Sequence, residues 1–199
     1  MTDTYAAPVT KSRIPTRERI LDAALELFIE RGVAGTTVSD IERAVGLAAG
    51  TGSFYRHYKS KEELVVPAFQ RGVTRMLMQL ETARAAEIAD IAADDLHERA
   101  SRDYHAMLGE MRAFHPLWLL MLSERDQYPE LQDVFIDGLG MREWDLRWNQ
   151  DRIRTIAIAA LTGFHQLAML DEAYYGTIDP EEYIAALVEF TEIAESRGP

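Results

Sequence analysis

The spacing of apolar residues changes from irregular to helical near Thr16. Residues 1–14 are polar, contain proline and follow no period, which predicts a flexible arm. Ile20, Ala24, Leu27, Phe28 and Arg31 then recur at steps of four, three, one and three, the pattern of one helix face. Gly32 predicts the end of that helix, because glycine enters the left-handed cap conformation without steric penalty. Thr37 is placed to cap a second, shorter helix with Val38, Ile41 and Val45 inward, ended by Gly46. A third helix is expected to hold Phe54 and Tyr58 inward, one turn apart. Ser60 followed by Glu63 makes the capping-box pattern that opens a fourth.

Helical stretches are expected beyond this point over 61–85, 88–112, 113–125, 129–149, 151–175 and 180–196. The breaks fall at His115-Pro116, at Tyr128-Pro129 and between Tyr175 and Pro180. Asp179 and Glu182 form another capping box, with Pro180 at the first helical position, where a missing N–H costs nothing. No run alternates with period two, and no Asn-Gly or Asp-Gly hairpin stands between such runs. The predicted fold is all-α, with an arm over 1–14, a three-helix head over 15–60 and a helical body over 61–199.

Composition narrows the classes. Of 199 residues 47% are apolar and 27% charged, enough of both for a folded chain. The absence of cysteine excludes disulfides and thiolate metal sites. The N-terminus has no apolar core of a secretory signal. The longest apolar run, Ile153 to Leu170, is interrupted by Arg154, Thr155, Thr162, Gly163, His165 and Gln166, whereas a membrane span needs about 20 predominantly apolar residues. A cytoplasmic protein with no membrane partner is expected. Residues 1–60 carry eight Lys/Arg against seven Asp/Glu, a net of +1, and residues 61–199 carry thirteen against twenty-six, a net of −13. The acidity therefore sits outside the head, and it repels phosphates only within about 8 Å at physiological salt.

That head has the parts of a helix-turn-helix, in which one helix braces on phosphates and the start of a second reaches base edges. Thr36 and Thr37, at a helix start, can donate hydroxyl and backbone N–H bonds to a phosphate. Thr51, Gly52 and Ser53 are small and let the backbone approach a major groove. Tyr55, Arg56, His57 and Lys61 make a polar and basic set on the exposed side. The runs Gly-Thr-Thr, Ala-Val-Gly-Leu, Gly-Ser-Phe-Tyr-Arg-His-Tyr and Ser-Lys-Glu-Glu-Leu together resemble the N-terminal domain of the TetR/AcrR family of transcriptional regulators. The resemblance covers about a quarter of the chain, residues 17–64.

The resemblance implies that Tyr55, His57 and Lys61 touch phosphates, while Thr51, Ser53 and Arg56 read bases. Arg56 is the best candidate for a bidentate contact to guanine, worth about 1–3 kcal/mol of discrimination. One feature departs from the family: its commonest spacing from the turn glycine to the tyrosine is two residues shorter than Gly46 to Tyr55. The segment Gly46 to Gly50 therefore reads as a longer turn.

For the body, the resemblance implies an effector-binding and dimerisation domain. The whole is then a homodimer on a palindromic double-stranded DNA operator, most often a repressor, released by a small effector. The patterning is compatible, since Ile153, Ile156, Ala160, Phe164 and Leu167, and then Ile184, Leu187 and Phe190, make helices apolar over a wide arc. Such helices must be buried on two faces. Pocket candidates are Met76, Leu80, Met107, Met111, Phe114, Trp118, Met121, Trp144, Trp148 and Met169, which suit a largely apolar ligand. His165, and with it His105 and His115, would supply a polar handle. The plainer reading is that such residues at helical spacing are core.

Two rival functions are weighed. A carboxylate-metal enzyme would use Asp94-x-x-His97, but di-iron bundles need two Glu-x-x-His pairs and further glutamates. One pair is present, with Asp. No catalytic residue, metal or cofactor is assigned. The other rival is a helical small-molecule-binding protein whose head no longer binds DNA.

Overall fold

A computed structural model describes residues 14–47, 52–88, 95–138, 152–170 and 179–196. The first helix, α1 (Thr16–Arg31), buries Ile20, Ala23, Ala24, Leu25 and Phe28, close to the expected face. It stops at Gly32, whose φ of 73° is left-handed and whose N–H bonds to the Phe28 carbonyl at 2.9 Å. The second helix, α2 (Val38–Ala44), opens on a capping box between Thr37 and Asp40. It closes in a Schellman turn: Gly46, at φ 69°, donates to Arg43 O at 3.1 Å, and Leu47 donates to Glu42 O at 2.8 Å.

The expected third helix is reduced to one tight turn, Phe54–Arg56, among the described residues. The Phe54 carbonyl accepts the amides of His57 at 2.9 Å and Tyr58 at 3.1 Å. Gly52 precedes it at φ 71°, a conformation that cannot belong to a right-handed helix, so helical geometry starts only at Ser53. A second tight turn, Glu62–Leu64, leads into α3 (Val65–Ile88). Here Ser60 Oγ accepts the Glu63 amide at 3.4 Å, and the Glu63 carboxylate reaches back to the amide of Lys59 at 2.8 Å, one residue upstream of the usual box.

The chain divides into two compact units, residues 1–68 and 69–199. The sequence placed the boundary at residue 60. The structure carries the first unit eight residues further, through buried Leu64, Val65 and Ala68.

In the second unit, α4 (Leu96–Glu124) runs unbroken through Pro116, where a break was expected. A proline inside a helix removes one hydrogen bond. Here its neighbours His115, Leu117, Leu120 and Met121 are all buried and hold the next turns in place. The helices α5 (Glu130–Gly138), α6 (Arg152–Leu170) and α7 (Pro180–Ser196) follow among the described residues of this unit. Asp179 caps α7 by accepting the Glu181 amide at 3.0 Å. Helices α4, α6 and α7 pack on one another around Ala100, Tyr104, Leu108, Ala157, Leu161, Ile184, Leu187 and Val188. The polar ties across this core include Tyr104 to Thr191 at 2.6 Å and Tyr183 to the Ala160 carbonyl at 2.9 Å. Among the described residues there is no strand, and none of the helices is long and apolar enough to cross a membrane.

Candidate functional site

The tight turn Phe54–Arg56 sorts its residues by side. Phe54 and Tyr58 point inward, 0% and 5% exposed, with ring centroids 6.1 Å apart. The Arg17 guanidinium lies 5.2 Å over the Tyr58 ring. Tyr55, at 60% exposure, Arg56 and His57 all face outward, and Tyr55 rests edge-on against Phe54 at 5.3 Å. Three consecutive hydrogen-bonding side chains are thus presented by a turn anchored from beneath by two aromatic rings. Ser53 is half-buried beside Gly52, and Thr51 lies outside the described residues.

A depression of about 320 Å³ lies beside Tyr55, lined among others by Thr37, Val38, Lys59, Ser60 and Lys61. Lys61 does not simply extend into solvent. Its ammonium donates to the carbonyls of Val33 at 2.6 Å and Thr36 at 2.8 Å. That leaves one of its three N–H groups for the depression. The hydroxyl of Thr37 donates to Asp40 at 2.6 Å and accepts the Asp40 amide at 3.2 Å, and its own amide donates to the Asp40 carboxylate at 3.1 Å, so both donors expected to meet a phosphate close the capping box instead. The hydroxyl and the amide of Thr37, both donating to the Asp40 carboxylate, and nearby Arg43 hold that carboxyl below its ordinary range. The amides of Val38 and Ser39, in the first turn, have no acceptor within the helix.

Thr36 requires a correction. Its side chain is buried, and its hydroxyl donates to Gly32 O at 2.9 Å, with Leu27 O at 3.3 Å. Its amide donates to Val33 O. The α1–α2 turn wraps these groups inward, so Thr36 braces the turn and offers no hydroxyl to a phosphate.

Two further residues matter that the sequence reading missed. The guanidinium of Arg19 donates to the Val45 carbonyl at the end of α2. The carboxylate of Glu42, 3% exposed, accepts the Phe54 amide at 3.3 Å. A legible signal existed for Glu42: a carboxylate beside Ile41, on the face of α2 that points inward.

The pocket candidates of the second unit gather in two places. Phe114 and Trp118 approach Phe135 of α5, with centroids at 5.8 and 5.5 Å, and Phe69 joins them at 6.3 Å. Phe69 and Phe135 were not singled out from sequence. Met107 and Met111 instead pack against the core of α4, α6 and α7. Met76 and Met121 are buried, and Leu80 is half-buried. Trp144, Trp148 and the Met169 side chain lie outside what is described.

His165 is buried and stands edge to face with His115 at 5.4 Å. Burial lowers the pKa of both, and His115 and Arg112 lower that of His165 further. His105 is exposed, bonded to Glu181 at 2.7 Å, and that bond raises its pKa. His97 pairs with Glu192 at 3.0 Å, while Asp94 lies outside the described residues. Among the described residues no three His, Asp or Glu side chains gather as a metal site would require.

Residues 20–67 match the model of the bacterial regulatory proteins of the tetR family. The chain is 45% identical over 56 residues to the transcriptional repressor KstR2 of Rhodococcus jostii, covering 28% of this chain and 26% of that protein. It is 34% identical over 93 residues to KstR2 of Mycolicibacterium smegmatis, covering 46% and 42%. These matches span less than half the length of the curated relatives. A transcriptional regulator from Rhodococcus sp. Rha1 superposes with a TM-score of 0.59 at 16% identity, over 92% of this chain and 97% of that one. The multidrug binding protein EbrR, complexed with proflavin, superposes with a TM-score of 0.53 at 21% identity, over 89% and 99%.

Proposed function

We propose, for a chain that belongs to the tetR family of bacterial regulatory proteins, that it binds a palindromic operator as a homodimer and leaves it when a small, largely apolar effector binds. One observation carries the DNA-binding part: Tyr55, Arg56 and His57 face outward together from a turn seated on buried Phe54 and Tyr58. Tyr55 and His57 hold phosphates, with the remaining N–H of Lys61 and the first amides of α2 around the neighbouring depression. Arg56 reads a base edge, and the small residues Thr51, Gly52 and Ser53 allow close approach.

Dimerisation is supported by a stripe of exposed apolar side chains. Ile156 and Leu167 of α6 are 54% and 49% exposed, and Phe190 and Ile193 of α7 are 39% and 45% exposed. Each pair recurs at helical spacing on one face, so two copies can bury these faces in a four-helix bundle. The two heads then meet half-sites about 34 Å apart, or a multiple of that. The aromatic group around Phe135, with the His115–His165 pair, suits a small effector with a flat or apolar body. The effector acts only through its preference for one of two arrangements. Reversing a 1:99 population needs about 5.5 kcal/mol of such preference.

Selection of bound duplexes from a random DNA library, at two salt concentrations, tests this reading. An inverted repeat with a steep salt dependence is expected. Tyr55→Phe should weaken binding on every sequence, and Arg56→Ala should relax preference at one base position. Recovery of no preferred sequence, or parental binding by both variants, would overturn the assignment.

A further inference from the structure

We infer that Glu42 is a positioning residue for the DNA-reading turn, fastening both ends of the link that joins this turn to α2. The inference rests on the proposed DNA-binding role of Tyr55 and Arg56. Two bonds carry it. The backbone carbonyl of Glu42 accepts the Leu47 amide at 2.8 Å, where the chain leaves α2. The carboxylate of the same residue accepts the Phe54 amide at 3.3 Å, where the reading turn begins. Six residues, 48–53, separate those two donors.

Glu42 is 3% exposed and Phe54 fully buried, so the second bond forms out of water, where a carboxylate acceptor is strong and its loss strands a donor. A carboxylate in a DNA-binding head also opposes phosphate approach. Its presence at an inward position therefore reflects the amide it holds. The adjacent residues Tyr55 and Arg56 take their placement relative to α2 from that bond, because the left-handed Gly52 rules out a continuous helix to transmit it.

The test compares Glu42→Gln, which keeps an oxygen acceptor, with Glu42→Met, which fills the same length without one. Two quantities are read: exchange of the Phe54 amide by NMR in the free protein, and the ratio of affinities for the selected operator and a scrambled duplex. Glu42→Met should speed Phe54 exchange and lower the affinity ratio by about tenfold each, while Glu42→Gln stays within about twofold of the parent. Parental values in Glu42→Met, or equal losses in both variants, would overturn the inference. If the parent itself preferred no duplex, the proposed function would fail, and the Phe54 exchange would still decide whether Glu42 fastens the turn.

Discussion

In the first unit, helices of 16 and seven residues are tied together by side chains that end on backbone atoms. Lys61 holds two carbonyls of the α1–α2 turn, Thr36 a third, Arg19 the end of α2, and Glu42 an amide of the reading turn. In the second unit, helices of 29, 19 and 17 residues meet mainly through apolar side chains. Short helices bury too little surface for packing alone to fix their angles, so directional bonds set the geometry. Long helices are held by area, which tolerates substitution and repacking. The contrast suits the proposed function, in which the head matches the fixed lattice of DNA and the body adapts to a ligand.

The sharpest break in this contrast comes at Gly35. A Cβ there would overlap the Arg31 carbonyl oxygen, a backbone atom that cannot turn aside. Gly35→Ala should destabilise the first unit by about 3 kcal/mol, read by amide exchange at Ile20 and Phe28. Lys61→Met comes next, with a loss of about 2 kcal/mol in the same amides, because two carbonyls lose a charged donor. Unchanged protection would mean that Lys61 serves DNA alone. In the second unit, a Cβ on Gly138 would overlap Val73 Cγ1, a side-chain atom in a packed surface. Gly138→Ala should cost about 1 kcal/mol, less than its counterpart in the head. All three tryptophans, at 118, 144 and 148, lie in the second unit, so their fluorescence follows it separately.

The smallest expected effect is on pH dependence. His115 and His165 have pKa values lowered below the ordinary 6.5 by burial. The unfolded imidazoles take up protons first, so the contribution of this pair is full above pH 6.5 and is lost as pH falls towards the folded values. His105, raised by Glu181, acts in the opposite sense: its contribution is full below pH 6.5 and fades as pH rises through its folded value. His105 is exposed, so the buried pair should dominate. Acid should lower the melting temperature read by tryptophan fluorescence, and His115→Gln should flatten that decline; an unchanged decline would remove the pair from the account.

Much of the head was legible because its cues are local. Gly32, Gly46 and Thr37 mark helix ends through caps that involve neighbours a few residues away, and Phe54 and Tyr58 declare an inner face by spacing alone. The third helix was overread because the i, i+4 pair fits one turn as well as a full helix, and only the conformation of Gly52 decides between them. Thr36 was misjudged because both its hydroxyl and that of Thr37 look available in sequence. Which one turns inward depends on carbonyls of Leu27 and Gly32 in the preceding helix. Pro116 was read as a break because local propensity says so, whereas buried neighbours on both sides outweigh one lost bond. The aromatic group of the body was least legible. Phe69, Phe114, Trp118 and Phe135 come from three helices, and periodicity carries no record of which helices will meet.

The two bonds to Glu42 also bear on chain length. Leu47 and Phe54 are pinned to one residue, so the six positions between them have fixed ends. Closing such a loop costs only about 0.6 kcal/mol more for each doubling of its length. Insertions between residues 48 and 53 should therefore cost little and leave Tyr55 and Arg56 in place. The extended Gly46-to-Tyr55 spacing is the kind of length variation that such an anchored link can accommodate.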